Sequence, residues 1–416
     1  TAQLVPVNAP EAARIGADLL RSLPPQTDVS ELFGAFLASK EGIRNLAAEL
    51  TTRKIPENRA KTGRQILQRQ VPYNQRNDES VKLLAKALEA SGGVLPAEKM
   101  PQELSGQEIS SLAKTIKETA DPVKGELVFR KNSVACLTCH AIGGAGGRIG
   151  PDLSSLGTSS PAETIIRSIL YPNQSIKEGY ELQRVAKKDG SELMGYMVSN
   201  GTADVVLRDV AGQEISIPKS QISVIEKVPG SLMPSGLTAG LDREEFANLV
   251  AFLSKMGESG QFRVPTARFV RRWSAVSATK ELVKKIREEG ISYVVKDNAN
   301  VPLQPLYGKV SGDLPLDELP TIDLSPAKRY SFVRFEIEVV SKGIVNLSLN
   351  TTNGITAWVG QKPIKLTSSG ILADLPPGIH TITLALDRTA LKDGTITSQL
   401  QDAVNSPAQT RLVMGR

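Results

Sequence analysis

The sequence predicts a multidomain α+β protein. It divides into an α-helical N-terminal domain over 1–120, a compact helical domain over 121–260 carrying an inserted small antiparallel β-sheet around 180–228, a linker region with a short helix over 261–320, and a C-terminal β-sandwich over 321–416. Three observations predict this. A length of 416 residues is too great for one small domain and divides into about three units of ordinary size. Apolar residues recur at helical spacing up to about Ala120. The apolar period then changes to two in separate places, between Tyr180 and Val228 and again from Tyr330 onward.

In the N-terminal region, Leu19, Leu20 and Leu23 belong to one candidate helix, Leu32, Phe33, Phe36 and Leu37 to a second, and Leu83, Leu84, Ala87 and Leu88 to a third. Short helices broken by Pro, Gly and Asn fit an all-α bundle or a pair of helical repeats, and no clean repeat period can be read. Asp121-Pro122 marks a boundary, because the residue before proline is pushed out of the helical region. Val123 to Arg130 then reads as a short helix burying Val128 and Phe129, and Pro161 to Leu170 as another burying Ile165, Ile166, Ile169 and Leu170. In the inserted sheet, Val185, Met194, Tyr196 and Val198 alternate with polar neighbours, and Asp189-Gly190 and Asn200-Gly201 are hairpin signals. Asp242 to Glu245 has capping-box character ahead of a helix whose apolar residues are Phe246, Leu249, Val250, Phe252 and Leu253, and this closing helix is expected to pack on Val123 to Arg130. Beyond Gly260 an amphipathic helix is expected over Ala278 to Glu289, then a Pro-rich stretch through Pro320. The runs Phe332 to Val339, Val345 to Leu349, Ile355 to Val359 and Ile379 to Leu386 follow at the spacing of a β-sandwich.

A composition of 40% hydrophobic and 23% charged residues is that of a soluble globular protein, and no apolar run approaches the length needed to cross a bilayer. No signal peptide opens the sequence, so an exported chain is expected here in mature or excised form. The formal net charge of +6 is small for this length and its basic residues are interspersed with acidic ones, which argues against nucleic acid as a partner. Arg268, Arg271 and Arg272, beside Phe269 and Trp273, read as a solvated face flanking a strand.

Residues Cys136-Leu137-Thr138-Cys139-His140 form a C-x-x-C-H run that holds both cysteines of the chain and one of its two histidines. The spacing points to covalent attachment of one c-type haem. Two thiols must reach the vinyl groups on one edge of a porphyrin while the adjacent imidazole binds iron from below. A structural zinc site wants four ligands, and beyond this run the only further His or Cys is His380. A thioredoxin-like pair needs a helix continuing after it, whereas Gly143-Gly144-Ala145-Gly146-Gly147 follows. A plain disulfide leaves His140 unexplained.

The expected metal ligands are therefore His140 and, at the sixth position, Met233 in Ser231-Leu232-Met233-Pro234, where a soft thioether would raise the potential. Its bland alternative is an apolar plug in a loop. His380 would have to arrive from another domain. Pro151 keeps a carbonyl that can accept from Nδ1 of His140 and so hold Nε2 toward iron. Arg148 is a candidate partner for a haem propionate, with simple surface exposure as the alternative.

Taken together, a helix before C-x-x-C-H, a glycine-rich loop, G-P-D-L, M-P and a final amphipathic helix resemble a class I c-type cytochrome. The likeness is closer to the haem-binding domain of large planctomycete and verrucomicrobial proteins. It runs through Gly125 to Phe129, Cys136 to His140, Gly150 to Leu153, Gly179-Tyr180-Glu181, Gly195, Ser231 to Pro234 and Glu244 to Leu253, about a third of the chain. The resemblance implies an exported multidomain protein in which helical repeats, and sometimes a propeller similar to sugar or alcohol dehydrogenases, precede the haem domain, and it leaves room for this chain being a piece of a longer one. The segment from Gly343 to Val359 also resembles jelly-roll accessory modules of carbohydrate-active proteins, with Trp358 either a core residue or a sugar platform.

The leading expectation is an exported, periplasmic monohaem electron carrier working between a donor dehydrogenase and a downstream acceptor. The alternatives are the haem-bearing part of a sugar or alcohol dehydrogenase and a haem sensor with a labile sixth ligand. No dinucleotide fingerprint, P-loop, Ser-His pair or metal-ligand cluster that could carry enzyme chemistry was found in the sequence.

Overall fold

The computed structural model describes residues 1–24, 27–71, 78–94, 99–391 and 393–413, with the side chains of 68 and 69 left aside. The fold is mixed α and β with antiparallel sheets. The chain separates into two compact units, one of 1–120 with 239–247 and one of 121–238 with 248–416.

The first unit is helical. Its helices are Ala9–Ser22, Ser30–Leu37, Lys40–Thr52, Glu57–Gln70, Glu79–Ala90 and Gly106–Thr119. Their starts are set by side chains that satisfy otherwise orphaned amides: Asn8 accepts from Glu11 N, Ser39 from Gly42 N, and Ser105 with Glu108 forms a reciprocal capping box. Helix Lys40–Thr52 packs between Ala9–Ser22 and Glu79–Ala90, while Ser30–Leu37 packs on Glu57–Gln70, so alternate helices form two rows. Phe33, Phe36, Leu46, Leu50, Leu84 and Leu88 fill the core between them. Asp242 and Glu245 cap each other's amides at 2.8 and 3.0 Å, the reciprocal pattern expected at the start of helix Arg243–Lys255.

In the second unit, Asp121 caps helix Pro122–Phe129 by accepting from the amides of Val123 and Lys124. Its own amide donates to the buried Asn248 side chain at 2.7 Å. Gly125 is where this helix crosses the closing one. A Cβ there would lie 1.9 Å from the Asn248 carbonyl oxygen and 2.7 Å from Phe252 Cβ, so only glycine permits the approach. Phe129 and Phe252 then meet at 5.5 Å between ring centroids, and Phe262 meets Phe252 edge-on at 5.5 Å. Helices Leu156–Ser159 and Ala162–Leu170 follow, the latter burying the four residues expected.

The inserted sheet comprises Leu182–Lys187, Glu192–Asn200, Asp204–Asp209, Glu214–Pro218 and Ile222–Lys227, in the antiparallel spatial order fourth, third, second, first, fifth. One part of the sequence reading is corrected here. Met194, Tyr196 and Val198 do not share a buried face: Tyr196 is buried, whereas Met194 and Val198 are exposed and Leu193 and Met197 pack with Val185, Val205, Leu207 and Ile217. A bulge between Met197 and Ser199 breaks the alternation that a regular strand would keep.

The segment 261–320 holds helix Lys280–Glu289 and also strands Arg272–Val276 and Leu303–Tyr307, which pair with each other and join the large sheet. They extend that sheet beside Lys328–Ser341, Gly378–Asp387, Ile355–Val359 and Lys362–Ile364. A three-stranded sheet of Gly343–Leu349, Gly370–Leu375 and Ser398–Gln401 faces it across a shared core that includes Trp273, Phe335, Ile337, Leu347 and Leu384. The other face of the large sheet is covered by Leu282 and Ile286 of the helix, packed on Val276, Phe332 and Trp358. Trp358 is thus a core residue, not a sugar platform. No described helix is long and apolar enough to cross a membrane.

The crossing at Gly125 gives a direct test. Gly125→Val is expected to cost about 3 kcal/mol, the upper range for overpacking, read as a lower urea midpoint. Val123→Ala, at an exposed site on the same helix, should stay within about 0.5 kcal/mol.

Candidate functional site

Ahead of the C-x-x-C-H run, a 3-10 turn Asn132–Val134 ends at Ala135, which takes φ +51°, a left-handed conformation unusual for a residue with a Cβ. That reversal starts a single helical turn, Cys136–Cys139. Residues three apart lie on one side of a helical turn, so both thiols face the same way. His140 N–H still donates to the Cys136 carbonyl at 2.9 Å, and His140 itself leaves the turn in extended conformation.

The glycine-rich segment folds straight back over this turn. Ala141–Ile142 pairs with Ala145–Gly146 about Gly143 and Gly144, both at positive φ, a two-residue hairpin of the primed kind. Gly147 N–H then donates to the Leu137 carbonyl at 2.8 Å, Gly150 N–H to Cys139 at 2.7 Å and Leu153 N–H to Ala141 at 2.8 Å. A Cβ on Gly146 would sit 2.0 Å from the His140 carbonyl oxygen, and one on Gly147 would sit 1.9 Å from that of Thr138. A Cβ on Gly150 would lie 2.6 to 3.0 Å from three atoms of the His140 imidazole.

Nδ1 of His140 lies 2.8 Å from the Pro151 carbonyl oxygen. A carbonyl can only accept, so Nδ1 carries the proton and the lone pair is on Nε2. Burial pulls the imidazole below its ordinary pKa and favours the neutral ring, against the opposing pull of the Pro151 bond and the Asp152 charge. Both cysteines are free thiols. Burial pushes Cys136 up to about 12 and raises Cys139 as well, so neither is an activated thiolate.

Met233 is half-buried in its loop, which is fixed by two short bonds: Ser231 N–H donates to Asn173 Oδ1 at 2.8 Å, and Met233 N–H to Ser231 Oγ at 3.1 Å. Tyr196 is bonded to this loop. Burial pushes its phenol up, a hydrogen bond from the Leu232 backbone opposes this, and Cys139 lies near enough to add to the rise. Its ring also meets Tyr180 edge-on at 5.3 Å. Cys136, Cys139, His140 and Pro151 therefore come together directly, and the Met233 loop is bonded to Tyr196. Arg148 is exposed, and its carbonyl accepts from Arg208 at 3.2 Å. His380 Nε2 is 2.8 Å from the Pro376 carbonyl, within the β-sandwich.

Sequence reasoning missed Tyr196, Asn173 and the basic cluster. Arg271 is not on a solvated face: it is buried, donates from Nε to the Val310 carbonyl at 3.2 Å, and has an Nη2 without a hydrogen-bond partner. Arg272 is half-buried and donates to the Gly146 carbonyl at 3.2 Å. Glu126, on helix Pro122–Phe129, is also buried, and accepts from Val310 N–H at 2.8 Å. Among the described residues no group of three His, Cys, Asp or Glu side chains could hold a metal ion. No protein-family model matches the chain, and no curated protein matches it.

Burial raises the Glu126 carboxyl above its ordinary value, against the Val310 bond and the charges of Arg130 and Lys309, with Glu318 adding to the rise. A carboxyl raised on folding stabilises the fold below its unfolded value of 4.5, and that contribution is lost as pH rises through the higher folded value. Glu126→Gln keeps an acceptor for Val310, so chemical denaturation at stepped pH is expected to show a flatter profile above pH 4.5 for the variant than for the parent. An unchanged slope would remove Glu126 as its source.

Proposed function

We propose that this chain is an exported monohaem c-type cytochrome of the class I kind, similar to the planctomycete and verrucomicrobial haem domains, transferring single electrons between a donor dehydrogenase and a downstream acceptor. One observation carries the reading: two unpaired cysteines on one side of a single helical turn stand next to an imidazole whose Nδ1 is committed to the Pro151 carbonyl, which leaves the Nε2 lone pair available to a metal. Buried thiols with raised pKa suit structural attachment better than thiol catalysis.

The residues fit one covalent haem. Cys136 and Cys139 would carry it through thioethers, His140 would ligate its iron, and Met233 would take the sixth position. Bound there, the haem supplies one-electron exchange. The chain's own part is to hold the proximal ring through Pro151 and Gly150, and to hold the distal loop through Asn173, Ser231 and Tyr196. If His140 and Met233 both held the iron, no open position would be left for substrate, and the chain would serve as a carrier. The crossing of the two helices at Gly125 supports the class I likeness, and the two facing sheets support a jelly-roll-like accessory part. Attachment of haem to C-x-x-C-H takes place, in bacteria, outside the cytoplasmic membrane, hence the proposed periplasmic location.

The test is an intact mass beside an absorption spectrum of natively matured protein. One haem per chain and a low-spin spectrum with the weak sulfur-to-iron band are expected. Met233→Ala should lose that band and lower the midpoint potential by about 0.1 V, well inside the range axial ligands command. A colourless chain with the mass of bare polypeptide would sink the proposal; a mutant that keeps the band would sink Met233 alone.

A further inference from the structure

A four-residue helical turn has no stability of its own, because nucleation fixes several dihedrals for a single hydrogen bond. The geometry of Cys136–Cys139 must therefore be imposed from its flanks. The β-rich half of the same unit reaches both of them. Upstream, Arg130 caps helix Pro122–Phe129 and its side chain is only 6% exposed. Its Nε donates to Glu318 at 2.9 Å, and its Nη2 donates both to the same carboxylate and to the Tyr307 carbonyl. Downstream, Arg272 donates to the carbonyl of Gly146, the residue pressed against the His140 backbone. Its guanidinium carbon lies 5.8 Å from the centroid of the Tyr307 ring, over its face.

Tyr307 thus serves both flanks, its carbonyl on Arg130 and its ring under Arg272. The two strands make this possible, since Arg272 and Tyr307 are direct partners in their pairing. A contact made only for general packing would have no reason to converge on one residue from opposite ends of the same turn. The Arg130 guanidinium is also largely out of water, so loss of Glu318 would leave its charge poorly solvated and cost more than at an open surface.

We propose that Arg130, Arg272 and Tyr307 form a clamp that positions the haem-attachment turn, which makes the strands Arg272–Val276 and Leu303–Tyr307 part of the haem site. The word haem rests on the function proposed above; the clamp itself is tested without it.

In the full chain prepared without haem, the rate of maleimide labelling at Cys136 reports how often the turn opens, with Cys139→Ala present throughout to isolate that thiol. Arg272→Gln, which gives up its bond to Gly146, is expected to raise the rate about tenfold, and Arg130→Gln, which gives up its bonds to Glu318 and the Tyr307 carbonyl, at least as much. Arg130→Lys and Arg272→Lys, which keep the charge and one donor, should restore most of the protection even where a glutamine variant folds poorly. Arg411→Gln, which breaks an exposed ion pair with Glu338 elsewhere in the β half, should leave the rate alone. In matured protein the two glutamine variants should carry less haem and shift the midpoint potential.

Labelling rates equal to the parent's in both glutamine variants would overturn the clamp, as would a rise equally large for Arg411→Gln. A parent chain that never takes up haem would overturn the function proposed above, while the labelling rates still decide the clamp.

Discussion

The arrangement depends on how closely the glycine segment can lie on the cysteine turn. Main-chain bonds from Gly147, Gly150 and Leu153 run back to Leu137, Cys139 and Ala141 at 2.7 to 2.8 Å, so backbone holds the turn from the glycine side. Backbone can only come that near where no Cβ intervenes, which is why Gly146, Gly147 and Gly150 occupy the three contact points. Once that contact is made the rest follows. The chain passes under the imidazole at Gly150, and the next carbonyl, that of Pro151, falls within 2.8 Å of Nδ1. Proline suits that position because it has a carbonyl to offer and no N–H to satisfy.

Burial pulls the site toward neutral groups. Desolvation disfavours the thiolates and the imidazolium alike, and no cation stands beside either thiol to reverse the effect. Such a site is poor at nucleophilic chemistry and good at holding one fixed geometry. The charged groups nearby are spent on structure: Arg130 on Glu318, Arg272 on Gly146, and Glu126 on the amide of Val310. Val310 is bound at both ends of its peptide, by Glu126 at the N–H and by Arg271 at the carbonyl, so the loop after Tyr307 is stitched to the helix that leads into the cysteine turn.

Much of this was legible in the sequence where the signal was local. The helix Pro122–Phe129 is announced by Asp-Pro, the closing helix by its capping box, and the inserted strands by period two. The His140 to Pro151 bond could be anticipated because the two residues are close in sequence and proline has only an acceptor. Other features were not legible because their cause is distant. Strands Arg272–Val276 and Leu303–Tyr307 are short and separated by a helix, and what makes them strands is the pairing of the first with Lys328–Ser341 and of the second with the first. Arg271 and Arg272 look solvated by composition, yet the sheet turns one into the interior and the other onto the glycine loop. Tyr196 was hidden because it shares a strand face with Met194, and alternation does not tell that one is buried and the other exposed.

The two sides of the proposed iron site are built differently, and this bears on what can vary. The His140 side is fixed by main-chain ladders and by glycines that no other residue can replace without displacing backbone. The Met233 side hangs on side-chain bonds, from Asn173 and Ser231 to the loop amides and from Leu232 to the Tyr196 hydroxyl. Side-chain bonds can be lost one at a time at a net cost of about 1 kcal/mol each, whereas a Cβ driven into a carbonyl at 2 Å has no small adjustment available. Substitution is therefore tolerated on the Met233 side first, while Gly146 and Gly147 on the His140 side admit no side chain without moving backbone.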